Sequence, residues 1–226
     1  MAETKKNQAT PTTEQSQNQS EALLLKYKNV ILCCIALFII GVCCGIWYHS
    51  HTADMQEEAS TAMAKAQDNF QSGNYELALN GDSTGIAGFL KIADQYGSTQ
   101  AGNLANLYAG LCYANLEKWE EAASYLEKFD GEDDQMISPA ALGALGNAYA
   151  HLNQLDKAVS TLVKAAEKAD NNSISPTLLI QAGQILESQD KKADALKLYK
   201  QVKEKYFKSM QTQYQTIDEY IERVSE

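Results

Sequence analysis

Cys112 and His151 are the two side chains of this sequence that could serve as a nucleophile and its base. Such a pair needs hydrogen-bond contact and a third group to orient the base. The sequence supplies no third group. Cys112 therefore reads as a small packing residue, and His151 as a groove or surface residue. Metal chemistry has as little to build on. The histidines are His49, His51 and His151, and the pair His49-x-His51 alone does not make a site. Asp130-Gly131-Glu132-Asp133-Asp134 concentrates carboxylates but lacks the alternating spacing of a calcium loop, so it reads as a solvated turn. Gly81-Asp82-Ser83 has no Gly-Lys-Ser/Thr after it and reads as a turn with an Asp cap. The expectation is a chain without metal, cofactor or catalytic activity.

The elements that position these residues follow from a repeated pattern. Ala109-Gly110-x-x-Tyr113, Leu145-Gly146-x-x-Tyr149 and Ala182-Gly183-x-x-Leu186 are each followed by an Ala twelve residues after the Gly: Ala122, Ala158 and Ala195. The Gly-to-Gly steps are 36 and 37 residues. A Gly on a first helix lets a second helix come close. The Ala on that second helix, with Leu126, Leu162 or Tyr199 one turn later on the same face, fills the contact. One such pair cannot bury its apolar face alone, so stacking of pairs supplies the core. Ser138-Pro139 and Ser175-Pro176, also 37 apart, read as a helix N-cap followed by Pro in the first turn.

The pattern resembles the tetratricopeptide repeat (TPR), with Leu142-x-x-Leu145-Gly146-x-x-Tyr149 and then Ala158-x-x-x-Leu162 as its best match. Asn106 stands where repeat 1 should carry a large apolar residue, and the closing Pro is missing. The resemblance implies an all-α α-solenoid of about three to four helix pairs. Residues 53–100 form a divergent first repeat, in which Tyr75 matches Trp119 and residues 81–85 interrupt the second helix. Residues 101–136, 137–173 and 174–208 form three further repeats. In residues 209–226, Met210, Tyr214, Ile217, Tyr220, Ile221 and Val224 recur at helical spacing, which suits a capping helix. In such stacks the first helix of each pair lines the concave side. The matching positions are Leu104, Leu107, Leu111, Ala114 and Asn115, then Gly143, Asn147, Ala150 and His151, then Ile180, Gln184 and Glu187. This lining suits an extended peptide or a partner helix, unless the leucines pack against residues 86–96 and close that end. The Lys and Asn pair with which some members clamp a C-terminal carboxylate is missing.

Residues 30–48 carry no charge. Nineteen helical residues reach about 28 Å, enough to cross a bilayer core. Trp47-Tyr48-His49 follows where a cleavage site would need small residues, so residues 29–50 read as an uncleaved anchor. Within it, Gly41 and Gly45 would let another helix approach closely, in a homo-oligomer or with a partner. Lys26 and Lys28 precede the anchor and no Lys or Arg follows before Lys65. That bias places the N-terminus in the cytoplasm and the repeats on the far side; an organelle anchor with cytosolic repeats is the opposite topology. Residues 1–28, rich in Gln, Asn and Thr at their start, read as a disordered tail. From Ala53 onward there are 15 Lys and Arg against 26 Asp and Glu, a net of −11. That argues against nucleic acid and against an anionic lipid surface. Four of the five cysteines lie in the anchor, so the repeats rely on no internal disulfide.

This layout resembles the membrane-anchored TPR proteins of Gram-negative bacteria, of the type of the ancillary Sec translocon subunit. The resemblance implies a non-catalytic scaffold for protein–protein interactions at the periplasmic face of the inner membrane. Its partners would be translocon subunits, periplasmic chaperones or emerging chains. The other reading is a structural organiser of an envelope or outer-membrane assembly, self-associating through Gly41 and Gly45.

Overall fold

The computed structural model describes residues 13–83, 85–131 and 134–225, with side chains from residue 26 except His49 and His51. Among these the secondary structure is helical: α1 (Thr13–Gln71), α2 (Tyr75–Asn80), α3 (Phe89–Gln95), α4 (Gln100–Asn115), α5 (Trp119–Lys128), α6 (Ile137–His151), α7 (Leu155–Ala169), α8 (Ser175–Ser188), α9 (Lys192–Lys205), α10 (Met210–Gln213) and α11 (Thr216–Ser225). The chain divides into two units, Met1–Ala53 and Asp54–Glu226.

In the first unit α1 already begins at Thr13, so residues 13–28 are helical where a disordered tail was expected. Gln, Glu, Ala and Leu between residues 14 and 25 are good helix formers, and no Pro or Gly separates them from the apolar stretch that follows. Residues 1–12 of that expected tail lie outside the described residues. Leu37, Phe38, Ile46 and Trp47 are all exposed. This is the one stretch among the described residues long and apolar enough to cross a membrane.

The second unit is a stack of helix pairs. The end of α1 pairs with α2, and then α4 with α5, α6 with α7 and α8 with α9. Each pair turns through a residue in the left-handed region at the same register: Gly73, Glu117, Asn153 and Asp190. The next residue's N–H then closes back by five residues: Asn74 to Asn69, Lys118 to Tyr113, Gln154 to Tyr149 and Lys191 to Leu186. This C-terminal motif favours Gly, yet only the first turn has one. The shared turn places the end of α1 and α2 in the same structural series as the other pairs.

The repeat glycines do what their spacing predicts. A Cβ on Gly110 would lie 2.6 Å from Leu126 Cγ, one on Gly146 2.7 Å from Leu162 Cγ, and one on Gly183 2.3 Å from Tyr199 Cε1. Ala122, Ala158 and Ala195 are fully buried beside them. Each core cluster is built by sequence neighbours: Phe89, Ile92 and Ala105 first, Leu107, Leu126 and Leu145 next, and Leu162, Leu179 and Tyr199 last. Such a stack is stabilised repeat by repeat.

Three local expectations are corrected. Ser138 and Ser175 do not cap; they are buried in the first turns of α6 and α8. Ser175 instead donates to Ala166 O at the end of α7 and accepts from Asn171 N, joining two repeats. The helix starts are held four residues earlier. Asp134 Oδ1 accepts from Met136 N and Ile137 N, and Asn171 Oδ1 from Ser173 N and Ile174 N. The backbone N–H groups of Ile137 and Met136 hold the Asp134 carboxyl below its usual range. The capping helix is two helices, because Gln215 adopts φ 58° and breaks it. α11 packs on α9 through Ile217 and Val224, whereas Met210 and Tyr214 face solvent, since the break turns them off the apolar face.

The interruption of the first pair is ordered by close backbone packing. Gly81 pairs with Ala87 in an isolated antiparallel bridge, and Asp82 Oδ1 accepts from Ile86 N. Thr84 of this segment lies outside the described residues.

Candidate functional site: the inner cleft

The first helices α4, α6 and α8 expose one face that no second helix covers. Between them lies a cleft of about 440 Å³, lined by Ala114, Asn115, Trp119, Ala144, Asn147, Ala150, His151 and Gln181. Register explains the set. Ala114 and Ala150 are one repeat apart, as are Asn115 and His151. The alanines make a floor without bulk. The wall is the Trp119 indole stacked on the His151 imidazole, with centroids 3.7 Å apart and planes 2° from parallel.

The lining carries no carboxylate and no ammonium group. Asn115 Nδ2 donates to Leu111 O, which leaves its Oδ1 as an acceptor. The buried Oε1 of Gln181 has no hydrogen-bond partner among the described residues. A buried acceptor left open is costly unless a ligand or water fills it. Neutral donors and acceptors above an alanine floor can take the amide groups of an extended chain with small side chains. They offer no nucleophile with an oriented base.

Gly143 and Ile180 are buried, and of the expected groove residues Ala114, Asn115, Asn147, Ala150 and His151 come together in this cleft. Leu104, Leu107 and Leu111 do not. Leu107 is buried, and all three pack with Ala122, Leu126 and Leu145, because α5 and α6 close over α4 there. Leu104 also meets the cluster of Phe89 and Ile92. Gln184 is exposed on α8, outside the cleft lining. Glu187 is taken up by the C-terminal helix: Arg223 Nε and Nη2 donate to its two oxygens at 2.7 and 2.8 Å, and Tyr199 Oη donates to Oε1. Trp119, Ala144 and Gln181 escaped the sequence reading. Trp119 opens α5, and only the α5–α6 packing brings it over His151.

The Arg223 bonds, then the Tyr199 hydroxyl, hold the Glu187 carboxyl below its ordinary value of 4.5. A depressed acid stabilises the fold above its unfolded pKa, and that contribution disappears as pH falls through the folded pKa. Replacing Arg223 by Ala should therefore destabilise the chain at neutral pH and progressively less below about pH 4.5. Urea midpoints of both proteins across that range check this. Parallel curves would show that the charged pair adds nothing to stability.

Cys112 is fully buried, and desolvation pushes its thiol up to about 12. It is a packed thiol at neutral pH, far from the lowered pKa of a reactive cysteine. We expect mass-spectrometric labelling at Cys112 only under unfolding conditions; labelling of the native chain would contradict the burial. The side chains of His49 and His51 lie outside the described residues, as do Glu132 and Asp133 of the acidic run. Asp130 of that run exchanges two hydrogen bonds with Asn103, through its own N–H and C=O. Among the described residues no cluster of three or more His, Cys, Asp or Glu could hold a metal. Cβ atoms on Gly41 and Gly45 would meet nothing within 4 Å, so that face of α1 is open.

A larger cleft of about 760 Å³ lies between the Asp54–Gln71 part of α1, the 85–87 loop and α3. Asp54, Glu57, Lys65 and Lys91 line it, and Tyr96 Oη donates to Glu58. Its exposed charges are well served by water, so the smaller, neutral cleft is the stronger candidate.

Comparison with known proteins adds a family and a fold. The model of the T7SS, ESX-1 secretion system protein EccA1, N-terminal domain, matches residues 44–217. A crystal structure of nearly identical TPR-like repeats of a Podosopora anserina kinesin light chain superposes with a TM-score of 0.52 at 14% identity. It covers 75% of this chain and 94% of that one. The Q17M form of those repeats gives the same values. No curated protein matches the chain.

Proposed function

The chain belongs to the family of the EccA1 N-terminal domain, a TPR-like helical repeat, and from that premise we propose that it is a non-catalytic scaffold whose inner cleft holds an extended, uncharged segment of a partner protein. The observation that carries this is the cleft itself. Asn115, Asn147 and Gln181 line one space over an alanine floor, beside the Trp119–His151 wall.

In this proposal residues 30–48 anchor the chain in the inner membrane, with the N-terminus in the cytoplasm and the repeats in the periplasm. The exposed apolar side chains of α1 and the lysines before them support it. The family's namesake is a component of a secretion system, and the layout resembles the ancillary subunit of the Sec translocon. Both directions favour partners among export machinery, its chaperones or emerging chains. The test is a photo-crosslinking amino acid at Asn147 of the full chain in cells, with the same group at buried Leu107 as control. Adducts at Asn147 with export components support the proposal. Equal yields at both positions, or none at Asn147, would sink it.

A second reading rests on the open Gly41 and Gly45 face. The chain would then self-associate in the bilayer and organise an envelope assembly. Replacing both glycines by Ile should abolish that association in detergent; unchanged association would dismiss it.

A further inference from the structure

The end of the stack carries a feature that peptide binding in the cleft does not use. Phe207, Met210 and Tyr214 are 61%, 68% and 73% exposed. Outside residues 27–48, no other three large apolar side chains among the described residues lie this close in sequence and this open. They are not scattered. Tyr214 N donates to Met210 O, which sets those two one turn apart, and Phe207 precedes the Ser209 cap of the same turn. An unpartnered apolar group of this size normally marks a contact surface.

The charge along the sequence around it is the reverse of the rest of the unit. Residues 54–190 hold 7 Lys and Arg against 20 Asp and Glu, whereas residues 191–226 hold 8 against 6. Between residues 197 and 208 there are five lysines and one Glu. Lys208 Nζ lies 5.6 Å from the centre of the Phe207 ring. Lys203 and Lys205 pair with Asp218 and Asp170. Lys200 and Lys208 have no ion pair among the described residues. Charges more than about 8 Å away are largely screened at physiological salt. An approaching surface therefore meets this basic end, and the net −11 of the whole unit governs it less.

We propose that Phe207, Met210 and Tyr214, with Lys208 beside them, dock this end of the repeats on an anionic lipid surface. Aromatic and Met side chains enter the headgroup boundary, while the lysine meets lipid phosphate. A bilayer accepts such a tip without shape complementarity. A second copy would have to offer a shape-matched apolar face, this same patch included, since among the described residues the acidic remainder of the unit exposes no comparable group. The proposal rests on the reading of residues 30–48 as an anchor, which keeps lipid at high effective concentration.

The test places a photo-crosslinking phenylalanine derivative at Tyr214 of the full chain, reconstituted in phosphatidylcholine vesicles with or without phosphatidylglycerol. Flotation reads the anchor and mass spectrometry reads the adduct. We expect a lipid adduct at least about threefold more abundant with phosphatidylglycerol, and reduced to the neutral-lipid level by Lys208→Glu. A chain that floats without lipid adduct overturns the docking alone, and so does a covalent dimer. A chain that fails to float overturns the anchor reading, and this proposal with it.

Discussion

Replacing Tyr199 by alanine is expected to remove about 4 kcal/mol of stability, near the middle of the range for deleting a buried aromatic. Tyr199 is the largest fully buried side chain among the described residues. Its ring fills the space that Gly183 leaves on α8, and it lies 5.3 Å from the Tyr220 ring of α11. Burial and the Glu187 carboxylate raise the Tyr199 pKa, so its hydroxyl remains a donor to Glu187. Alanine would leave a void where α8, α9 and α11 meet and would free Glu187 from one of its partners. In a stack whose repeats touch only their neighbours, the loss should be local. Hydrogen exchange should rise first in α8, α9 and α11, while α4 to α6 keep their protection. The thermal midpoint of the full chain in detergent should fall by about 10 °C. Tyr199→Phe separates the two contributions, since it keeps the ring and loses only the hydroxyl, at a cost of about 1 kcal/mol. A Tyr199→Ala melt within a degree or two of the parent would contradict the packing described for this end.

The second large effect reverses an ordinary expectation. Ala is favoured over Gly inside a helix by about 1 kcal/mol, and Gly102 lies in the first turn of α4 with ordinary helical backbone. Even so, Gly102→Ala should destabilise the chain by about 3 kcal/mol. A Cβ there would lie 1.8 Å from Tyr96 O, 2.3 Å from Tyr96 C and 2.8 Å from Gly97 N. Those atoms are backbone, and no rotamer change relieves the collision. The α3–α4 turn would have to move, and with it the Thr99 cap, whose Oγ1 accepts from Gly102 N at 3.0 Å. Gly110→Ala is the comparison. Its Cβ meets the Leu126 side chain, which can yield in part, so the loss should be smaller. Urea unfolding of the two variants beside the parent gives the order. A Gly102→Ala chain as stable as the parent would show that the turn does not approach as closely as described.

What could be read without the fold was whatever recurs. The 36- and 37-residue steps identify the pairs, because a Gly, an Ala and a bulky residue must return at fixed spacing if one helix is to seat on another. The interruption after α2 was legible too, since Gly81 and Gly85 break a helical run. The capping residues were misassigned for an instructive reason. Asp134-x-x-x-Ser138-Pro139 and Asn171-x-x-x-Ser175-Pro176 repeat as one unit, and proximity to Pro favoured the serines. The choice fell to the carboxylate and amide upstream, because Ser175 is drawn into a bond across repeats that sequence spacing does not encode.

The cleft divides in the same way. Asn147 and His151 belong to the exposed face of a first helix by period alone, so the sequence determined that they would face out of the pair. Whether an outward-facing position meets solvent or a neighbour depends on how far the next pair rotates, and only the tertiary structure decided that. It buried Leu107, gave Glu187 to Arg223, laid Trp119 over His151, and left Met210 and Tyr214 in solvent after the helix broke at Gln215. The sequence of a repeat protein determines the repeat, because helical spacing within a pair is local. The working surface is set by contacts between pairs, which join residues about one repeat apart, and no local pattern specifies them.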